Sequence, residues 1–228
     1  MAEALHALIP LDAPATRGAA AARRLREAII SGALAPGTIL KDLEVATHMG
    51  LSPVPLREAM VQLAAEGLVE IAPNRWKRVA PLDHDAVVEL LAVQQRIWEI
   101  GYEWGAPHLG KSDLLALATI QNAHSEAITM GDINAAVEAA MGFHLVFMRA
   151  SGNRELFRIS IDRLPLIRRF VLLAAPDMVS RQGQDIHSRI LDAMRRCDIP
   201  ACLAHFRDAG TLLLDVARAA RDKFREKE

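Results

Sequence analysis

Four histidines set into apolar helical stripes are the residues of this chain best suited to chemistry. His124 shares a 3.6-residue stripe with Leu114, Leu117 and Ile128, and His144 shares another with Val137, Met141 and Met148. His187 falls beside Ile190, Leu191 and Met194, while His205 lies in line with Cys202, Ala209 and Val216. All four are expected to point inward. An imidazole so placed can ligate a metal, or it can offer one donor and one acceptor to a small molecule. Taken singly, it is more often a hydrogen-bonded core residue. The other constellations that carry chemistry are missing: there is no nucleophile with its base, no phosphate-cradling glycine loop and no carboxylate pair spaced for acid and base work. Cys197 and Cys202, five apart, suit neither a zinc ribbon nor a redox pair and are expected to be two packed thiols. Asp83, Asp85 and Glu89 read as an acidic helix start, favoured by the helix dipole without any chemical role.

A second set of residues points to nucleic acid. Residues 42 to 59 have the spacing of a helix-turn-helix, with small Ala46 where two short helices cross and Gly50 where the turn needs positive φ. Val45, Met49, Leu51, Leu56 and Ala59 fill the apolar positions around them. Ser52 is expected to cap the second helix, with Pro53 in its first turn. Such a second helix is the usual reader of a DNA groove. Bulk charge supports this only weakly, since the formal net charge is −1 and the pI about 6.7. Up to Ala80 there are nine basic and eight acidic residues. Clustering is more informative: Arg23, Arg24 and Arg26 crowd the first helix, and Arg75, Lys77 and Arg78 crowd one turn. A solvated helix face would account for the first group equally well.

The elements that must position these residues are mainly helical. The chain has 228 residues, 51% hydrophobic and 24% charged, with aromatics at only 4%, a composition of helices packed on helices. Neither a membrane span nor a secretory signal is evident, which together with two unpaired thiols suggests a reducing cytoplasm. Residues 1–17 read as a flexible arm. Residues 18–81 read as a winged helix-turn-helix, with a first helix over 18–31 and a hairpin of 68–72 and 77–80 around Pro73, Asn74 and Arg75. Residues 82–228 read as an antiparallel all-helical bundle with helices over 84–106, 112–130, 132–151, 153–174, 177–197 and 199–225. Ser112 and Asp132 are expected N-caps, and Pro165 should kink its helix.

The runs LREAIISGALAPGTIL and GLSPVPLREAMVQLAAEGLVEIAPNRW resemble the N-terminal domain of GntR-type bacterial transcription regulators. FHLVFMRASGNREL and DIHSRILDAM resemble the helical effector domain, FCD, of the FadR-like branch. The resemblance implies a homodimer that binds the half-sites of a palindromic double-stranded operator, with a small-molecule effector, usually an organic acid, held in the bundle. It places Arg57 at the start of the recognition helix and Asn74, Arg75, Trp76, Lys77 and Arg78 in a wing that enters the minor groove; Ser52 and Pro53 at that helix's leading end are expected DNA-binding residues too, with Lys41 as a replacement contact. Leu43 and Pro53 stand where relatives have arginines, and Trp76 stands at the glycine of the wing tip. Each lost phosphate contact should flatten the log–log salt dependence of binding by about 0.9. Several FCD proteins hold a divalent metal with one aspartate and three histidines. His144 and His187 match two of these, but the aspartate position is Ala140 and the last histidine position is Ala209. Two imidazoles alone make a poor divalent site. His205, one turn earlier, is expected to reach the same cavity. A family arginine on the first bundle helix appears as Gln95, leaving Arg96 as a substitute effector anchor. The expected effector pocket therefore comprises Arg96, His124, His144, His187 and His205. The alternative is a ligand- or metal-sensing bundle whose degenerate DNA-binding domain no longer grips an operator tightly. A metal-dependent enzyme is disfavoured because the histidine cluster contains no carboxylate.

Overall fold

The structure is a computed structural model that describes residues 17–73 and 75–226. The expected N-terminal arm and Asn74 thus lie outside the described residues, the arm but for Arg17. The chain divides into two compact units, one containing Gly37–Ala80 with the chain up to Ala28, the other containing Ile29–Pro36 and everything from Pro81.

The first unit holds α1 (Arg17–Ile30, whose last two residues belong to the second unit), α2 (Asp42–Met49), α3 (Pro53–Ala65), β1 (Val69–Ala72) and β2 (Trp76–Val79). Helices α2 and α3 meet as the spacing predicts. Ala46 is buried at their crossing, and Gly50 ends α2 at φ +62°, where its N–H closes back on the Thr47 carbonyl. Leu56, Ala59, Met60 and Leu63 recur on one face of α3 and are fully buried with Ala22 and Leu25 of α1. Arg26 forms a bidentate pair with Glu66, its nitrogens 2.5 and 2.6 Å from the carboxylate oxygens, so one cation of the first-helix cluster is structural. The hairpin pairs Val69 with Val79 and Ala72 with Trp76. Residues 37–40 run along its open edge, where Val79 N–H donates to Thr38 and Leu40 N–H to Lys77. This isolated bridge, with Ile39 opposite Arg78, was not expected. Ser52 occupies the N-cap position of α3, but its side chain makes no capping bond.

The second unit contains α4 (His84–Gly105), α5 (Lys111–Met130), α6 (Ile133–Ala150), α7 (Arg154–Asp162), α8 (Leu164–Ala174), α9 (Arg181–Arg195) and α10 (Ile199–Arg225). Asp83 and Asp132 cap α4 and α6 by accepting the N–H of Ala86 and Ala135, each at 2.9 Å. Ser112 does not cap α5. The helix begins at Lys111 after Gly110, whose N–H donates to Asp113. The helix expected over 153–174 is two helices, because Pro165 lacks an N–H and starts α8 afresh after Arg163.

Packing runs in a closed ring: α4 lies against α6, α6 against α5, α5 against α9, α9 against α10, and α10 against α4. The interior holds an aromatic cluster, with Tyr102 stacked on Phe147 at 3.8 Å and on Phe206 at 4.2 Å, and a more aliphatic one around Val87, Leu91, Val137, Ile167 and Phe170. Helices α4 and α6 approach so closely at Gly105 that a Cβ there would strike the Phe147 carbonyl oxygen. On the outer face of α4, Val93, Ile100 and Trp104 stand 58%, 38% and 50% exposed, in line with half-buried Ile97. Cys202 is buried, and its thiol is pushed up to about 12 by burial and nearby Asp198. Cys197 is exposed at φ +56°, so only one of the two thiols is packed.

Candidate functional site

All five ring helices contribute to one cavity of about 90 Å³. Helix α4 supplies Gln95 and Trp98, α5 His124, α6 Ala140 and His144, α9 Gly183 and His187, and α10 Phe206, Ala209 and Gly210. Exposed Asp177, with Met178 and Ser180, closes the side between α8 and α9. Three of the four histidines singled out by their stripes are thus on this wall. The other two pocket candidates are not. Arg96 sits one residue round the helix from Gln95, is largely exposed and pairs with Glu99. His205 is half-buried on a different face of α10, with Asp208 4.0 Å away. A position one helical turn before Ala209 shares its stripe only approximately, and here that angular difference turns His205 away from the cavity.

The imidazoles are held by aromatic rings. Trp98 stacks on His144 at 4.3 Å, Phe143 stacks on His187 at 4.5 Å, and the ring of His187 lies 5.1 Å from that of His144 and 5.4 Å from that of His124. The Tyr102 hydroxyl is 2.9 Å from His144 Nδ1. A phenol is the better donor and an imidazole nitrogen the better acceptor, so Tyr102 donates and the proton of neutral His144 resides on Nε2. Burial with repulsion from His124 pushes His144 down to about 3; burial, then His144 and His124, takes His187 well below the usual histidine range. Burial also lowers His124. Both nitrogens of His124 and Nδ1 of His187 are buried without a hydrogen-bond partner. Gln95, Trp98 and Phe206 were not foreseen as pocket residues, nor Tyr102 as the partner that holds His144 from behind. The 3–4 spacing of Gln95, Trp98 and Tyr102 along one face of α4 was the available signal.

The metal that the resemblance implies does not fit this wall. Ala140 and Ala209 both line the cavity, so the two positions lacking ligands are the ones that would complete the shell around His144 and His187. Among the described residues no three His, Cys, Asp or Glu side chains come together to hold an ion.

In the first unit, Lys41, Arg57, Arg75, Trp76 and Lys77 border one open groove of about 580 Å³ between the start of α2, the first turns of α3 and the hairpin. Arg57 and Arg75 are exposed and make no ion pair among the described residues. Lys41 pairs loosely with Glu44 at 2.9 Å. Lys77 is bound by Asp42, and Arg78 is bound by Glu70 at 2.7 Å and lies 4.5 Å over the Trp76 ring. Two of the wing's cations therefore fasten the hairpin. Ser52 and Pro53 are exposed at the leading end of α3, beside exposed Val54, and Leu43 is 76% exposed on α2.

A winged helix-turn-helix joined in one chain to a helical bundle with an internal cavity is the build of a ligand-responsive transcription regulator. Residues 18–78 match the family of bacterial regulatory proteins called gntR, and residues 89–208 match the FCD domain. The chain belongs to the GntR family and carries an FCD domain. It is 26% identical over 216 residues to the transcriptional repressor RspR of Escherichia coli K12, covering 90% of this chain and 92% of that one. It is 25% identical over 186 residues to the gluconate operon repressor of Bacillus subtilis, covering 78% and 72%. In fold it is similar to E. coli McbR/YncC, with a TM-score of 0.75, 18% identity and coverage of 90% and 98%. A GntR regulator of Rhodococcus sp. RHA1 follows with a TM-score of 0.69, 21% identity and coverage of 93% and 99%. No helix among the described residues is long and apolar enough to cross a membrane.

Proposed function

We propose that this regulator is a cytoplasmic homodimer that reads a palindromic operator through α3 and the hairpin, and that a small molecule in the helical cavity sets its DNA affinity. The observation that carries the DNA-binding part is Arg57, an exposed guanidinium without an ion pair among the described residues, on the second turn of α3 and bordering the same groove as Arg75 of the hairpin turn. A fork of donors at that place can bridge a base edge or a phosphate. Trp76, braced by Arg78, supplies a rigid apolar edge beside it. Effector control requires only that the ligand bind one DNA-binding state more tightly than the other.

The test is fluorescence anisotropy with DNA from the region upstream of the protein's own coding sequence. Arg57→Ala should weaken binding about tenfold or more, the usual worth of a base or phosphate contact. Unchanged affinity at physiological salt would remove Arg57 from the interface. Failure of the unaltered protein to bind any such fragment at low salt would favour the second reading, in which the exposed apolar surface of Leu43 and Val54 meets protein instead.

A further inference from the structure

We infer that the cavity takes an uncharged, hydrogen-bonding small molecule, such as an amide or a polyol, recognised directly by His124, His144 and His187 without a metal ion. The inference rests on the effector reading above and specifies its ligand. Among the described residues no lysine or arginine lines the cavity, and its charged lining residue is the acidic Asp177. A carboxylate would therefore enter a chamber with no cation to meet it and an anion on its wall, losing its hydration without a compensating partner. Three guanidiniums adjoin lining residues in sequence and none lines the cavity: Arg96 and Arg207 both pair with Glu99, and Arg181 is exposed. Lewis-acid help is also missing from the side chains, because Ala140 and Ala209 provide no donor atoms.

What the wall offers instead is unsatisfied hydrogen bonding. His124 is 3% exposed and has two nitrogens without partners, and His187 has one more. An imidazole presents one donor and one acceptor, the pattern that a primary amide or a hydroxyl complements. Leaving such groups unpaired in an apolar chamber is costly, so a ligand that pairs them is favoured over one that offers only apolar surface. Trp98, Phe206 and the α10 stripe form apolar walls for its carbon skeleton. A volume of about 90 Å³ holds at least three waters' worth of ligand, which restricts the class to compact molecules.

Matched pairs sharing a carbon skeleton test this on the full chain: lactamide against lactate, and glycerol against glycerate, titrated by calorimetry and by thermal shift in metal-free buffer. The uncharged member should bind at least tenfold more tightly in each pair. His124→Leu should abolish that binding, and His124→Asn, which keeps a donor and an acceptor, should retain most of it if the leucine variant misfolds. Equal or tighter binding of the acids, no response to either uncharged compound, or binding that appears only with added zinc would each overturn the inference. DNA binding measured on the same preparation separates the outcomes: a protein that binds DNA but fails these titrations loses only the ligand class, whereas one that binds no DNA loses the regulator reading as well.

Discussion

His144 shows how one side chain is fixed from three sides, by the Trp98 ring, by the Tyr102 hydroxyl and by the neighbouring ring of His187. Its burial has a consequence for acid stability. With the ordinary value at 6.5 and the folded value near 3, both folded and unfolded chains carry it neutral above pH 6.5, and its contribution is complete there. Below that, the unfolded chain takes up a proton that the folded chain refuses, so stability falls by about 1.4 kcal/mol per pH unit for this residue alone, down to pH near 3. Urea midpoints of the helical unit should therefore drop steadily from pH 7 to pH 4, and His144→Gln should flatten the slope. A midpoint constant across that range would mean the imidazole is not held neutral. The same residue scale bears on the poor fit of a metal to this wall. Adding the two donor side chains, Ala140→Asp with Ala209→His, should raise zinc uptake in equilibrium dialysis above that of the unaltered protein to about one ion per chain; no gain would show that the two positions do not converge on His144 and His187. The stripes placed His124, His144 and His187 correctly because each sits mid-helix, where 3.6-residue periodicity is strict. They misplaced His205 because one turn along the helix shifts a side chain by about 40° as well as 5.4 Å.

At the scale of elements, glycines mark where helices touch and where they do not. Gly105 lets α4 lie on the backbone of α6, and Gly142 on α6 faces open space. Gly105→Ala should destabilise the helical unit by about 1–3 kcal/mol through forced separation. Gly142→Ala should stabilise it by about 0.5–1 kcal/mol, the ordinary helix-propensity gain. Thermal denaturation of the two variants gives opposite signs if the close approach is real and the same sign if it is not. The order of helices was legible in the chain because caps and breakers stand at nearly every boundary: Asp83, Asp132, Asn153 and Asp198 all accept N–H bonds from the turns they open. Where the sequence misled, a local signal had two structural outcomes. Pro165 could bend a long helix or begin a new one, and here it stands in the first turn of α8, where its missing N–H breaks no bond. The bridge at Ile39 carries no alternation to announce it, since its pairing is dictated by the open edge of β2.

For the whole molecule, the exposed line of Val93, Ile97, Ile100 and Trp104 along α4 is the surface most in need of a partner. Its 4–3–4 spacing is that of a seam between two helices, and a twofold axis would lay the line of one chain against its copy with no second sequence required. Arg96, Glu103 and Arg207 border it with both signs of charge, a suitable rim for a self-complementary contact. Ile100→Glu should then yield a monomer by sedimentation or light scattering, because two like charges would meet across the axis. Coupling between the scales follows directly. Among the described residues, the groove of each winged domain is bordered by unpaired Arg57 and Arg75 with loosely held Lys41, so the groove of a single copy has roughly three phosphates to neutralise and a log–log salt slope near −3. Two copies on adjacent half-sites double that slope and multiply their affinities through the effective concentration of the second domain. The Ile100→Glu protein should therefore lose operator affinity by a hundredfold or more with its groove intact, and its salt slope should halve. A variant that stays dimeric, or a monomer that binds DNA as tightly and with the same slope, would show that α4 is not where two copies meet.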